Sequence, residues 1–561
     1  MAKPKLKTKS KPSAQAKKSR FHSYIHSFNF IGVVIGMVFV YLGFIPTLLP
    51  RGWVLQGVMS GVLFSIGYGI GLIISYLVRA FKPKERSLAV KSQIKKYTYI
   101  VLLLLYLIGV VVGFNWQQEV RKLVQQPPEN SVAILGTTLV ALLFAALLIF
   151  ISRVIRSLYH WLGRLIDKYI PKAIAYTGAW VLTALIVVGL LNGVILSSVM
   201  SVVNEAFGVK NDTTDSGIVQ PTSPELSGSN SSVIAWDSLG RQGRTFIGKA
   251  STTSELTNFN QTPAMQPIRT YSGLKSASTT KDRANLAVTD LKRAGGFDRK
   301  IIVVATTTGT GWVDEEGVVP VEYMYNGDSA VVSMQYSYLP SWLSFLVDKT
   351  KAKDAGNALY NAVYNEALKL PEDKRPKIVV FGESLGSFGG ESAFANQAAF
   401  KATSQGAVWA GPPNFNTLWS EAVANRDKGS PEILPVYQNG QTVRFAARPS
   451  DLNNPEQPWN APRAAYLQNP SDPIVWWSPS LLFQKPDWLS EPRGADVSTR
   501  TRWIPIVTFW GVSGDMVFST GVPDGHGHKY GQMPTDAWSY VAPPAGWTSQ
   551  KTQALKAELA N

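Results

Sequence analysis

The chain has 561 residues, with 55 Lys and Arg against 38 Asp and Glu, five His and no Cys. That length exceeds one ordinary domain, and the missing cysteine excludes disulfides, thiolate metal sites and a cysteine nucleophile. The net charge of +17 belongs to one part of the chain: residues 1–200 hold 23 basic and four acidic residues, the remaining 361 hold 32 and 34. Because those basic residues flank long apolar runs, the charge points to a membrane and excludes a nucleic-acid partner.

Residues 1–27 are a basic tail with eight Lys and Arg and no acid. Five apolar runs follow, at about 28–50, 53–78, 97–115, 131–152 and 174–200, without Asp, Glu, Lys or Arg in their cores. A helix crosses a bilayer with about 20 apolar residues, so 28–200 is expected to be an all-α transmembrane bundle of about five helices. The first run reads as an anchor and not a cleaved leader: it is long, four more follow, and no A-x-A-like site is present. Basic residues number 20 in the tail and the connections after the second and fourth runs, against three in the other two connections. That asymmetry places the N-terminus in the cytoplasm and everything beyond about residue 200 on the opposite side.

The second run carries Gly57, Gly61, Gly67, Gly69 and Gly71, small residues that let helices approach closely. Asn192 in the fifth run is expected to find an interhelical partner. With no ionisable group inside the runs, a transporter is disfavoured. Residues 201–235, rich in Ser, Thr, Asn, Asp, Gly and Pro, read as a linker.

Residues 236–561 form the remaining domain. "KDRANLAVTDLKRAGG" (281–296) has helical spacing, and "KIIVVAT" (300–306) is a continuous β-branched run. "SAVVSMQYSY" (329–338) reads as strand, "AGNALYNAVYNEALKL" (355–370) as helix and "KIVVFG" (377–382) as strand. "GSFGGESAFANQAAF" then continues as helix, and "GAVWAGPP" and "AAYLQNPSDP" read as strands ending in turns. Alternating strands and helices predict a mainly parallel, doubly wound α/β sheet.

Between a predicted strand and helix lies Gly382-Glu383-Ser384-Leu385-Gly386, which fits the G-x-S-x-G nucleophile elbow. A serine nucleophile needs a base. Of the five histidines, only His526 and His528, in "PDGHGHKYG", lie on the same predicted side as Ser384. His528 is preferred and His526 is its rival. The acid expected between them in sequence is Asp472 of "NPSDP", with Asp451 as competitor. For the oxyanion hole, the expected donors are the Leu385 amide and those of Gly309, Thr310, Gly311 and Trp312, in the loop "ATTTGTGWVD". That loop holds neither G-x-x-x-x-G-K-[ST] nor G-x-G-x-x-G, so no cofactor and no metal are expected. Two aromatic segments, "YLPSWLSFLVD" (338–348) and "IVWWSPSLLFQKPDWL" (474–489), are candidates to line an acyl site, through Trp342, Phe345, Trp476 and Trp477.

With "TGTGWVD", "YSYLPSWLSFLVD", "GESLGSFGGE", "YLQNPSDPIVWWSP" and "GHGHKYG", nearly the whole chain resembles an actinobacterial family of membrane-anchored α/β-hydrolases. In that family a multi-span N-terminal domain precedes an exported serine hydrolase domain. The resemblance implies a serine esterase or acyltransferase at the outer face of the cytoplasmic membrane, with a membrane lipid or acylated envelope compound as substrate. One departure stands out: between Asp472 and His528 no last strand is evident, and a helix-like "WIPIVTFWGVSGDMVF" takes its place. The reading from a different class is a non-catalytic envelope protein whose hydrolase fold binds lipid or partners.

Overall fold

The computed structural model describes residues 28–81, 92–191, 193, 198, 208–339, 343–345 and 349–560. They fall into two compact units: Met1–Ile45, Arg51–Gln117 and Glu129–Ser157 in one, and Pro46–Pro50, Gln118–Pro128 and Leu158–Asn561 in the other.

The apolar runs fold as helices α1 (Phe30–Gly43), α2 (Trp53–Phe81), α3 (Ser92–Leu123), α4 (Ala133–Ile166) and α5 (Lys172–Gly189). The last four are long and apolar enough to cross a membrane. The first corrects the expected span 28–50. It has 14 helical residues, about 21 Å at 1.5 Å per residue, short of a hydrocarbon core of about 30 Å. Within the first unit the glycines do what small residues do. A Cβ on Gly71 would sit 2.6 Å from the Gly32 Cα, and one on Gly57 would sit 2.9 Å from the Thr137 carbonyl oxygen. Gly61 and Gly67 are similarly crowded, whereas Gly69 faces open space. Asn192 lies outside the described residues.

The second unit is built on seven parallel strands: β1 (Ile268–Ser272), β2 (Ile301–Thr306), β3 (Ser329–Met334), β4 (Lys377–Glu383), β5 (Gly406–Ala410), β6 (Val443–Ala446) and β7 (Arg463–Leu467), ordered β1-β3-β2-β4-β5-β7-β6. Alternation along each strand sends neighbours to opposite faces. Ile302, Val304, Ile378 and Val380 enter one core; Ile301, Val303, Val379 and Phe381 enter the other. Six of the surrounding helices matter for the site: α6 (Thr280–Arg293), α7 (Glu315–Met324), α8 (Lys349–Ala367), α9 (Leu385–Glu391), α10 (Val507–Val517) and α11 (Met533–Val541). Helices α6 and α8 supply the first core, α7 and α11 the second.

The chain goes from β2 to β3 on one side and then returns to β4 on the other, so β2 and β4 flank the point where strand order reverses. Open α/β sheets place their sites beyond the strand ends there. The segment expected as one helix after residue 385 is two, α9 and Gln397–Thr403, the second capped by the Asn396 side chain. The stretch read as a linker is packed where described. Leu226 bridges Arg269 of β1, and Ser227 Oγ donates to Asp290 Oδ2 of α6 at 2.5 Å.

Candidate active site

The turn from β4 into α9 is tight because its residues are small. A Cβ on Gly382 would lie 2.3 Å from the Gly386 carbonyl oxygen, and one on Gly386 would lie 2.3 Å from that of Thr306. Ser384, between them, adopts φ +55°, ψ −125°, a region where a non-glycine residue is strained by about 1–3 kcal/mol. Its N–H donates to the Ala410 carbonyl at the end of β5 (2.9 Å). At the first helical position, the Leu385 N–H has no acceptor within its own helix.

The loop after β2 rests against this elbow. Tyr271 Oη donates to the Gly311 carbonyl (2.7 Å) and Gln335 Nε2 to that of Thr310 (3.0 Å), which pulls both carbonyls back. The Gly311 N–H donates to the Thr308 carbonyl at 3.0 Å, so it is spent inside the turn. Of the expected loop donors this leaves the amides of Gly309, Thr310 and Trp312.

Asp472 follows β7 and His528 follows α10, and the structure brings them together: Asp472 Oδ2 meets His528 Nδ1 at 2.6 Å. Tyr530 Oη donates to the same oxygen (2.6 Å), and the Ile474 N–H donates to Oδ1 (2.8 Å). Fully buried, Asp472 therefore keeps its charge compensated by donors. The imidazole lies over Gly411, where a Cβ would be 2.3 Å from His528 Cε1. Gly411 directly follows Ala410, the residue bonded to the Ser384 amide, so Ser384 and the imidazole share one end of the sheet. His528 Nε2 is buried and makes no hydrogen bond among the described residues.

His526 is placed differently. Its Nδ1 contacts Asp496 Oδ2 at 3.2 Å, and Ser471 Oγ donates to that same oxygen. It lines a separate cleft of about 1110 Å³ with Arg448, Asp451, Arg493 and Asp496. Asp451 accepts the amides of Ala447 and Arg448 and contacts neither histidine. Sequence reasoning did not single out Tyr530 or Asp496, although Tyr530 stands two residues past His528.

Trp342 lies outside the described residues. Phe345 joins Leu385 and Ile474 in an apolar cluster, with Phe415 and Trp477 packed against it. The Phe345 and Trp477 rings meet edge-on at 5.7 Å. Trp476 corrects the expectation: it belongs to the main core, bonded through Nε1 to the Asn469 carbonyl and packed against Trp419 and Trp488.

Two further carboxyls meet at the elbow, Glu383 within it and Asp314 from the loop after β2. Burial pushes Asp314 up to about 7 and Glu383 well above its ordinary range, and the two are hydrogen-bonded to each other; Glu316 adds repulsion to both and Asp472 to Glu383. Burial likewise raises Glu391 and Glu432 to about 7. Each of these groups holds a proton in the folded chain at a pH where the unfolded chain has released it. Stability therefore falls as pH climbs from about 4 through about 7. The melting temperature should be lower at pH 8 than at pH 5.5, and Glu383→Gln should shrink that difference. Thermal melts giving the same drop in both proteins, or no drop, would contradict the paired carboxyls.

Residues 268–555 match an alpha/beta-hydrolase family, and residues 44–250 match the N-terminus described for an alpha/beta-hydrolase family. The chain belongs to this alpha/beta-hydrolase family. No curated protein and no solved structure matches it.

Proposed function

We propose that the protein is a serine ester hydrolase or acyltransferase that works through an acyl-enzyme. The observation that carries this is the strained Ser384 at the sheet end where His528, bonded to Asp472, also lies. In this mechanism the Ser384 hydroxyl attacks the ester carbonyl while His528 Nε2 takes its proton. The Leu385 amide and the loop amides hold the oxyanion; His528 then protonates the departing alcohol. Water or an acceptor alcohol releases the acyl group by the reverse proton path. Asp472 keeps Nδ1 protonated and stabilises the imidazolium.

The acyl group is long and the enzyme acts on a membrane or envelope lipid outside the cytoplasmic membrane. Support comes from the apolar wall of Leu385, Phe345 and Ile474 beside the nucleophile. Exposed Phe483, Trp510, Val517 and Phe518 add apolar surface of the kind that meets lipid. Each buried CH₂ favours binding by about 0.8 kcal/mol, so kcat/KM should rise steeply with acyl length. A series of esters of increasing chain length, assayed on the full chain in nanodiscs, checks this. An optimum at acetyl or butyryl would remove the lipid substrate from the account.

A further inference from the structure

In sequence, Pro46–Pro50 only joins α1 to α2, yet it belongs to the compact unit of the sheet. Leu48 and Leu49 are 0 % and 2 % exposed and enter the same core as α6 and α8. One side chain holds them. Asp515 Oδ2, on α10, accepts from the Thr47 hydroxyl and from the N–H groups of Leu48 (2.9 Å) and Leu49 (3.2 Å). Thr501 Oγ1 adds a bond to the Thr47 carbonyl (3.1 Å). Asp515 is 1 % exposed, and a carboxylate so far from water survives only where donors replace its hydration.

The turn that carries His528 sits on this segment. Helix α10 ends at Val517, and two residues later the Ser519 carbonyl accepts the His528 N–H at 2.8 Å. Gly527, at φ +51°, is wedged in place. A Cβ there would lie 2.6 Å from Ser519 O, 2.7 Å from Val522 Cγ2 and 3.4 Å from Leu49 Cδ1. Leu49 is thus part of the floor under the residue preceding His528. The connection runs from Asp515 through the backbone of Leu48 and Leu49 to Gly527, and from there to the imidazole.

We propose that Asp515 is a positioning residue for His528: by clamping Leu48 and Leu49 it fixes the floor under Gly527 and so the seat of the imidazole on Asp472. This rests on His528 being the catalytic base. Its consequence is that a connection between two apolar helices completes the site. A clamp that served folding alone would change the melting temperature and leave the chemistry of His528 untouched.

The test uses the full chain in nanodiscs, with two readouts: the pH dependence of labelling by a fluorophosphonate, and the titration of the His528 ring by NMR of ¹³C-labelled histidine. A small displacement of a catalytic group can cost about 100-fold. Asp515→Ala and Leu49→Ala are expected to slow labelling about tenfold or more, to shift the acid limb of the profile and to move the His528 titration with it. Asp515→Asn keeps an oxygen for the same donors and should recover most of the rate. Thr47→Val, which removes one donor, should cost a few-fold. If Asp515→Ala does not fold, Leu49→Ala and Thr47→Val decide. Wild-type labelling rates and acid limbs in those two variants overturn the proposal, as does a lowered melting temperature with an unchanged His528 titration. Should the unmodified protein fail to label, the hydrolase reading fails by itself, and the His528 titration in the variants still decides the clamp.

Discussion

Ser384→Ala is expected to reduce ester turnover by about four to six orders of magnitude, the usual cost of removing a nucleophile that acts as a unit with its base, without unfolding the chain. The expectation of an intact fold follows from the local structure. The Ser384 amide and carbonyl hold the turn through Ala410 and Ser387, and both survive the substitution. The hydroxyl itself makes no hydrogen bond among the described residues. A glycine at the same place separates function from structure more sharply. At φ +55°, ψ −125° any side chain is strained, so Ser384→Gly should be equally inactive and yet more stable by about 1 kcal/mol. A serine kept for its fold would behave in the opposite way, losing stability in both variants while activity persisted. Turnover and thermal melts on the three proteins distinguish these outcomes.

The second large effect concerns the base. His528→Ala should cost about three orders of magnitude or more in turnover, whereas His526→Ala should cost less than about tenfold. The two histidines are separated by Gly527 alone but engage different acids. His528 contacts Asp472 at 2.6 Å over Gly411, and His526 contacts Asp496 at 3.2 Å beside a separate cleft. Asp472→Asn should come close to the loss seen for His528→Ala. The asparagine oxygen can still accept the Ile474 amide now bonded to Oδ1. Its NH₂ group, however, would face the Tyr530 hydroxyl and His528 Nδ1, which now share Oδ2. An NH₂ there favours the imidazole tautomer with its proton on Nε2, the one unable to accept the serine proton; a loss of about 10⁴ is typical of that swap. A His526→Ala defect larger than that of His528→Ala would transfer the role of base, and full activity in both would remove the triad.

Much of the sheet was legible because β2 and β4 at its centre hold continuous β-branched runs, as a strand buried on both faces requires. The two strands missed, β1 and β6, are the edges, and each carries a buried arginine that breaks the apolar pattern. Arg269 is neutralised by Glu322 and Glu315. Arg444 donates hydrogen bonds to the carbonyls of Gly440, Leu452 and Gln457. Neither set of partners can be read from local spacing. The elbow and the Asp472 turn were legible because glycine, serine and proline mark them locally, while which histidine meets Asp472 could be read only from the fold. Tryptophan runs proved ambiguous for a physical reason: Trp476 ends the short helix Pro473–Trp476 and Trp477 follows it with an extended backbone, so the first is buried in the core while its neighbour lies between that core and the Leu385 cluster. The first apolar run misled by length. Pro46 and Pro50 bracket a segment that leaves the helix for a buried place in the other unit. The signal that could have exposed this was Asp515, the lone carboxylate in the otherwise apolar "WIPIVTFWGVSGDMVF".

The central claim is that Ser384 is an activated nucleophile, and the most direct measurement is the site of covalent modification. The full-length protein in nanodiscs is treated with a fluorophosphonate at neutral pH, digested, and the adduct located by peptide mass spectrometry. The account predicts one stoichiometric adduct on Ser384, absent from folded Ser384→Ala and slowed by orders of magnitude in His528→Ala. An adduct on another serine, or a folded protein that takes up no probe while a known serine hydrolase reacts alongside it, would contradict it.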